Sequence, residues 1–377
     1  MIYKLNGEST NLAYDIDGEQ LANAYTLEGV QIPLSGDDDY DEWYTEFQHS
    51  ILIARDEWKT QYRADNSVVP FILHTDQHGV LNYNNAWTRQ LFAYLGLALK
   101  WNEVSACIGL GDVDMSDYAD MYQVLSYLPT NKLINIWGNH DLWRSYTTVN
   151  DQFVIDWDTN YFDNSNYLVS HAYNKKGFEY HIDSAHNIKY VCFGGWEIDK
   201  NLGGYSHYNI TSESMEDLIT MLEVNDGYDI IILTHCSPFA HSSVYNYSTG
   251  TDTDTLYEEP VLEKSDGSLT NLVVNGIGFD DMFNARNLKT SGTILDSYGN
   301  SHSYDFSNTT GNIICCLNGH DHRDRFGYSN GILTVEYDAF AYGNNPFYMI
   351  NVDRTNNVLV FWKITNDAVI QKRSIPL

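Results

Sequence analysis

The chain has 377 residues, 43% of them apolar and 14% aromatic, a balance that supplies a sizeable core and excludes a largely disordered polymer. Its 51 Asp and Glu against 21 Lys and Arg leave a formal net charge of −30. Such a field repels polyanions and anionic membranes, and no Lys/Arg stripe offers a nucleic-acid track, so neither partner is expected.

Residues 1–11 lack the basic start and apolar stretch of a secretory signal, and no run approaches transmembrane length. The expectation is a cytoplasmic protein, with a virion-associated one as the alternative. The segment Ala13–Leu21 returns as Ala24–Ile32. Two strands with glycine turns follow from it, so residues 1–35 read as a β repeat, either a local hairpin or a small attachment module. Residues 36–66 open on the acidic run Asp37–Glu42 and continue with Trp43, Phe47, Ile51, Ala54 and Trp58 at helical spacing, a helix whose acidic start suits its dipole.

From residue 67 to 377 the pattern is that of an α/β domain. Short apolar runs (Val68–Leu73, Ala106–Leu110, Leu133–Trp137, Ile188–Phe193, Ile230–Leu233, Ile313–Leu317) alternate with amphipathic stretches over 86–101, 116–128 and 212–223. Phe347–Val352 and Val358–Ile364 flank a polar turn as a hairpin, so the sheet is expected to be mixed. Two long polar stretches, 142–186 and 239–311, read as insertions over the active face. The first holds Trp143, Tyr146, Phe153, Trp157, Tyr161 and Phe162, aromatic surface for stacking a ligand or for packing a cap. The odd set Cys107, Cys192, Cys236, Cys315 and Cys316 sits mostly inside apolar runs and reads as buried free thiols.

Five of the apolar runs end in residues able to hold a metal. They are followed in turn by Asp76-Gln77-His78, Gly111-Asp112, Gly138-Asn139-His140-Asp141, Thr234-His235 and Gly319-His320-Asp321-His322. Loops at the carboxyl ends of strands gather on one edge of an α/β sheet, so these distant residues can meet. Asp76 with His78, and His320 with His322, are spaced by two, which in extended chain puts each pair on one side. Carboxylates can bridge two cations while imidazole and amide oxygen complete each shell. Imidazoles favour transition metals over Mg or Ca, so two divalent ions are expected, with Mn favoured over Fe or Zn.

This ordered set resembles the calcineurin-like metallophosphoesterase family, whose pattern is Asp-x-His, Gly-Asp, Gly-Asn-His-Asp/Glu, His, then Gly-His-x-His. The resemblance implies a two-sheet mixed β-sandwich flanked by helices. It also implies one metal on Asp76, His78, Asp112 and His322, and a second on Asp112, Asn139, His235 and His320. His140 would then stand beside the phosphate as proton donor or charge stabiliser, oriented by Asp141. The stretch Gly111–Ser116 departs from the family in lacking the longer acidic or Asn tail after Gly-Asp.

Asn139, His241 and Arg323 are candidate substrate contacts. For His241 the competing reading is a solvent-exposed histidine, and for Arg323 a surface ion pair. Cys236 is expected to turn away from His235, and His74 to be a core histidine. The activity implied is hydrolysis of a phosphate ester, a diester preferred, by hydroxide formed between the two ions, with a small molecule or glycan-phosphate as substrate. The alternative is a phage tail-associated attachment protein whose site acts on cell-wall polymers.

Overall fold

The computed structural model describes residues 24–25, 31–32, 54–63, 65–78, 104–112, 132–136, 138, 146–149, 152–155, 171–172, 178–193, 197–198, 208–238, 244–246, 251–253, 261–263, 269–271, 278–296, 298–320, 322–340, 346–365 and 370–377. The strands that position the site are β1 (Val68–His74), β2 (Ala106–Gly109), β3 (Leu133–Asn135), β4 (His171–Ala172), β5 (Phe178–Asp183) and β6 (Ile188–Phe193). After helix α1 (Ser212–Glu223) come β7 (Asp229–Leu233), β8 (Val244–Asn246) and β9 (Thr251–Thr253). Helix α2 (Phe279–Leu288) precedes β10 (Ser291–Leu295), β11 (Ser301–Asp305), β12 (Ile313–Asn318), β13 (Arg325–Ser329) and β14 (Ile332–Glu336). The chain closes on β15 (Phe347–Asp353), β16 (Val358–Ile364) and β17 (Ile370–Pro376).

Two mixed sheets result. One has six strands in the order β17-β16-β15-β1-β2-β3, and the other nine in the order β9-β8-β13-β14-β12-β7-β6-β5-β4. The parallel runs β1-β2-β3, which reaches one edge of the six-stranded sheet, and β6-β7-β12-β14, inside the nine-stranded one, carry the candidate ligands just after β1, β2, β3, β7 and β12. Their sequences are continuously apolar because both faces are covered. In β6, Tyr190 and Cys192 enter the layer between the sheets, while Val191 and Phe193 pack outward against α1 and α2. Ile231 and Leu233 of β7 likewise point inward, and Ile230 and Ile232 outward. This is the helix-flanked two-sheet sandwich implied by the sequence, and its strand ends match the expected apolar runs closely.

Helix α1 begins at its expected position because Thr211 caps it, accepting from the Ser214 N–H at 3.3 Å. It buries Met215, Leu218, Met221 and Leu222. Helix α2 was not foreseen, since its stretch is polar overall. Phe279, Met282, Phe283 and Ala285 face the core, and Asp280 and Asp281 occupy the first turn. The fully buried Arg286 ties α2 to its surroundings, donating to the carbonyls of Leu222, Thr310 and Gly311 at 2.8, 2.7 and 2.8 Å.

On the outer face of the six-stranded sheet, residues 54–60 are helical, with Ala54 and Trp58 buried as their spacing implies. Trp58 Nε1 donates to Ile350 O at 3.0 Å. Trp43, Phe47 and Ile51, and the amphipathic stretches 86–101 and 116–128, lie outside the described residues. In the second copy of the N-terminal repeat, Ala24–Tyr25 pairs antiparallel with Gln31–Ile32; the first copy lies outside the described residues. The C-terminal hairpin pairs Phe347–Asp353 with Val358–Ile364 as expected. All five cysteines are buried free thiols. Among the described residues no helix is long and apolar enough to cross a membrane.

Candidate metal centre

The two sheets deliver their loops to one edge, where backbone hydrogen bonds lock them together. Asp76 N–H donates to Gly111 O at 3.0 Å and His78 N–H to Asp112 O at 2.9 Å, within the six-stranded sheet's set. Gly319 N–H donates to His235 O at 2.9 Å in the other. Two further bonds cross between the sheets. His235 Nδ1 donates to Leu110 O at 2.6 Å, and the His320 N–H donates to Asp76 Oδ2 at 3.0 Å.

These bonds settle which atoms face the centre. With Nδ1–H committed to Leu110 O, Nε2 is the His235 nitrogen that faces the centre, 3.1 Å from Asp112 Oδ2, and it is the one a cation would take in exchange for its proton. Asp76 Oδ2 accepts from His320 N–H and from Thr75 Oγ1 at 2.6 Å. Its other oxygen, Oδ1, is buried without a hydrogen-bond partner, yet three imidazole nitrogens surround it. His322 Nε2 is 3.3 Å away, His78 Nε2 3.8 Å and His235 Nε2 3.9 Å. His78 Nε2 also stands 3.1 Å from His322 Nε2 and 3.7 Å from Asp112 Oδ2.

Three overlapping groups have ligand atoms within 4.8 Å of one another: Asp76, His78 and His322; Asp76, Asp112 and His235; His235, Cys236 and His320. An orphaned buried carboxylate oxygen facing imidazole nitrogens is costly unless a cation satisfies it, so the donor set fits divalent metal ions.

The backbone carries the same signature. Among the described residues ten non-glycine residues take left-handed φ, and five of them are Asp76 (53°), His78 (43°), Asp112 (52°), His320 (82°) and His322 (57°). The others are four asparagines, which occupy that region at little cost, and Lys289, which ends α2. Strain of this kind persists only where the surroundings over-determine it, and it clusters at functional sites. It also corrects the sequence reading, because the pairs spaced by two converge through left-handed turns rather than through extended chain.

Charge follows from the same geometry. Burial works to raise the Asp76 pKa, but the neighbouring His235 and His322 outweigh it and leave the carboxyl below its ordinary value. Burial works to lower His235, yet Asp112 and then Asp76 push it up to about 10. Two buried carboxylates thus demand positive charge at this edge. His74 is the expected core histidine, held down to about 4 by burial alone, with the Gln77 amide donating to its Nδ1. The unfolded chain protonates this ring near 6.5 while the folded chain refuses the proton until about 4. Stability is therefore expected to fall by about 3 kcal/mol as pH drops through that window. Urea midpoints across it should fall less steeply for His74→Gln.

Asn139, His140, Asp141 and His241 lie outside the described residues. Arg323 is exposed. Cys236 packs in the outer core as expected, but its sulfur also comes within 4.8 Å of ligand atoms of His235 and His320, which the sequence reading did not anticipate. Thr75, which fixes Asp76 Oδ2, was likewise missed; a hydroxyl next to a candidate ligand was the available signal.

No protein-family model and no curated protein significantly matches the sequence. Among solved structures, a dimetal phosphatase from Danio rerio is similar at 12% identity and a TM-score of 0.44, over 82% of this chain and 98% of that one. The calcineurin-like phosphoesterase YfkN from Bacillus subtilis is similar at 12% identity and 0.34, over 82% and 90%. GAP50, the anchor in the inner membrane complex of Plasmodium, is similar at 13% identity and 0.41, over 82% and 89%. The chain resembles the calcineurin-like phosphoesterases. What it shares with them is the order of the motifs and the two-sheet layout.

Proposed function

We propose that the chain is a metal-dependent phosphoesterase of the calcineurin-like kind, acting on a phosphate ester. The observation that carries the reading is Asp76 Oδ1, buried without a hydrogen-bond partner and faced by His78, His235 and His322. One divalent ion would be held by Asp76, His78, Asp112 and His322, and a second by Asp112, Asn139, His235 and His320, with Mn favoured over Fe or Zn. When bound, such a pair acidifies water and binds phosphoryl oxygens.

The chain's own residues do the rest. Leu110 O holds the His235 tautomer, and Thr75 and the His320 amide hold the Asp76 carboxylate. Gly138, packed against Asp112, leads in sequence into Asn139 and His140. His140 is proposed to donate the proton to the leaving alkoxide, oriented by Asp141, with His241 and Arg323 as contacts to substrate. A diester carries one negative charge where a monoester carries up to two, so a chain of net charge −30 admits the diester more easily.

Purified protein should carry metal by elemental analysis, lose turnover of bis-p-nitrophenyl phosphate on chelation, and regain it with Mn²⁺. Turnover of p-nitrophenyl phosphate should be lower. A metal-free protein that stays inactive on both esters with Mn²⁺, Fe²⁺ and Zn²⁺ would sink the reading.

A further inference from the structure

The loop from β12 to β13 carries both His320 and His322 in left-handed conformation, and something must hold each of its ends. Its start is held by Gly319 N–H on His235 O and by His320 N–H on Asp76 Oδ2. Its far end is Asp324, whose carboxylate is buried and takes donors from three separate elements. Tyr348 of β15 donates its hydroxyl to Oδ1 at 2.6 Å, and Lys363 of β16 donates Nζ to Oδ2 at 2.6 Å. The backbone N–H of Asp338, just past β14, reaches Oδ1 at 3.2 Å. Lys363 also bonds Asp338 Oδ2 at 2.8 Å, closing the group. Tyr348 and Lys363 belong to the six-stranded sheet, Asp324 and Asp338 to the ends of a hairpin in the nine-stranded one.

We infer that Asp324, Lys363, Asp338 and Tyr348 form a positioning device that pins the His320–His322 loop across the two sheets so that its imidazoles can receive metal. The inference rests on the metal-dependent reading above. An apolar filler at these positions would occupy the same space but would not fix the loop's direction. A buried carboxylate with three donors from different elements does, because each bond is directional and breaking one leaves a charge uncompensated. None of the four is a catalytic residue, since each acts through the histidines.

The test is calorimetric titration of Mn²⁺ into the full chain, alongside melting curves and kinetics. Asp324→Asn keeps the shape but turns an amide N–H₂ or a weaker acceptor toward Lys363. Because Asp324 acts on the histidines through the loop rather than by a bond to them, the loss should lie at the low end of the roughly 10- to 100-fold seen for direct partners of a metal ligand: Mn²⁺ binding should weaken about 10-fold, while turnover at saturating Mn²⁺ is retained. The comparison is Lys189→Met, which breaks another ion pair, that of the buried Lys189 Nζ with the half-buried Asp226 Oδ2 at 2.8 Å, beside the end of α1. It should lower the melting temperature and leave Mn²⁺ affinity alone.

Wild-type affinity in Asp324→Asn, or equal weakening in Lys189→Met, overturns the inference. Should Asp324→Asn not fold, Tyr348→Phe removes a single hydroxyl from the same group; weaker Mn²⁺ binding there supports the assignment and unchanged binding overturns it. A wild-type chain that binds no divalent ion is a different failure, that of the underlying function, and the two are told apart by the wild-type titration.

Discussion

Asp76→Asn is expected to lower phosphoesterase turnover by about a thousandfold, the scale of losing a preorganised charge at a reacting centre, and to abolish tight metal binding, while leaving the fold intact. The amide is isosteric with the carboxylate. Its oxygen can still accept from Thr75 Oγ1 and the His320 N–H, which now meet Asp76 Oδ2 at 2.6 and 3.0 Å. That choice turns the N–H₂ group toward His322, His78 and His235, where a donor stands in the place a cation should occupy.

The substitution also removes the buried counter-charge that His235 and His322 face, and their attraction outweighs the repulsion from Asp112, so the metal-free variant should melt below the metal-free wild type. Loss of turnover and metal far beyond what the modest loss of stability explains separates a ligand from a merely structural carboxylate. Metal content by elemental analysis, melting curves and bis-p-nitrophenyl phosphate turnover read all three effects. Turnover within about tenfold of wild type would remove Asp76 from the centre.

The candidate centre was legible because its residues sit immediately after continuous apolar runs, and a buried parallel strand leaves few other places for Asp76, Asp112, His235 and His320 to go. The tautomer of His235 was not legible, since it depends on Leu110 O, which belongs to the other sheet. Nor was the anchoring of Asp324, whose partners Tyr348 and Lys363 arrive from β15 and β16. Long-range partners leave no local pattern. The helix α2 escaped for the opposite reason: its apolar positions Phe279, Met282 and Phe283 have helical spacing, but they sit within a long stretch dominated by Ser, Thr, Asn and Asp.

Gly138→Ala is the second large effect, and it separates a packing requirement from a conformational one. A Cβ at Gly138 would run into the carboxylate and the backbone nitrogen of Asp112, with the carboxyl carbon at 2.7 Å. Asp112 cannot step aside, since its own φ is 52° and its carbonyl accepts the His78 N–H at 2.9 Å. Overpacking of this kind costs about 1–3 kcal/mol. Because Asp112 is proposed to serve both ions, the displaced carboxylate should cost the protein its full metal complement rather than half of it.

Gly299→Ala provides the contrast. Gly299 has φ of +81° and a methyl group there would meet nothing within 4 Å, so its substitution carries only the backbone strain of a left-handed alanine. Both variants should lower the melting temperature, but only Gly138→Ala should lose metal and turnover together. A Gly138→Ala protein that retains two equivalents of metal would mean that the third strand-end loop approaches Asp112 without shaping the centre.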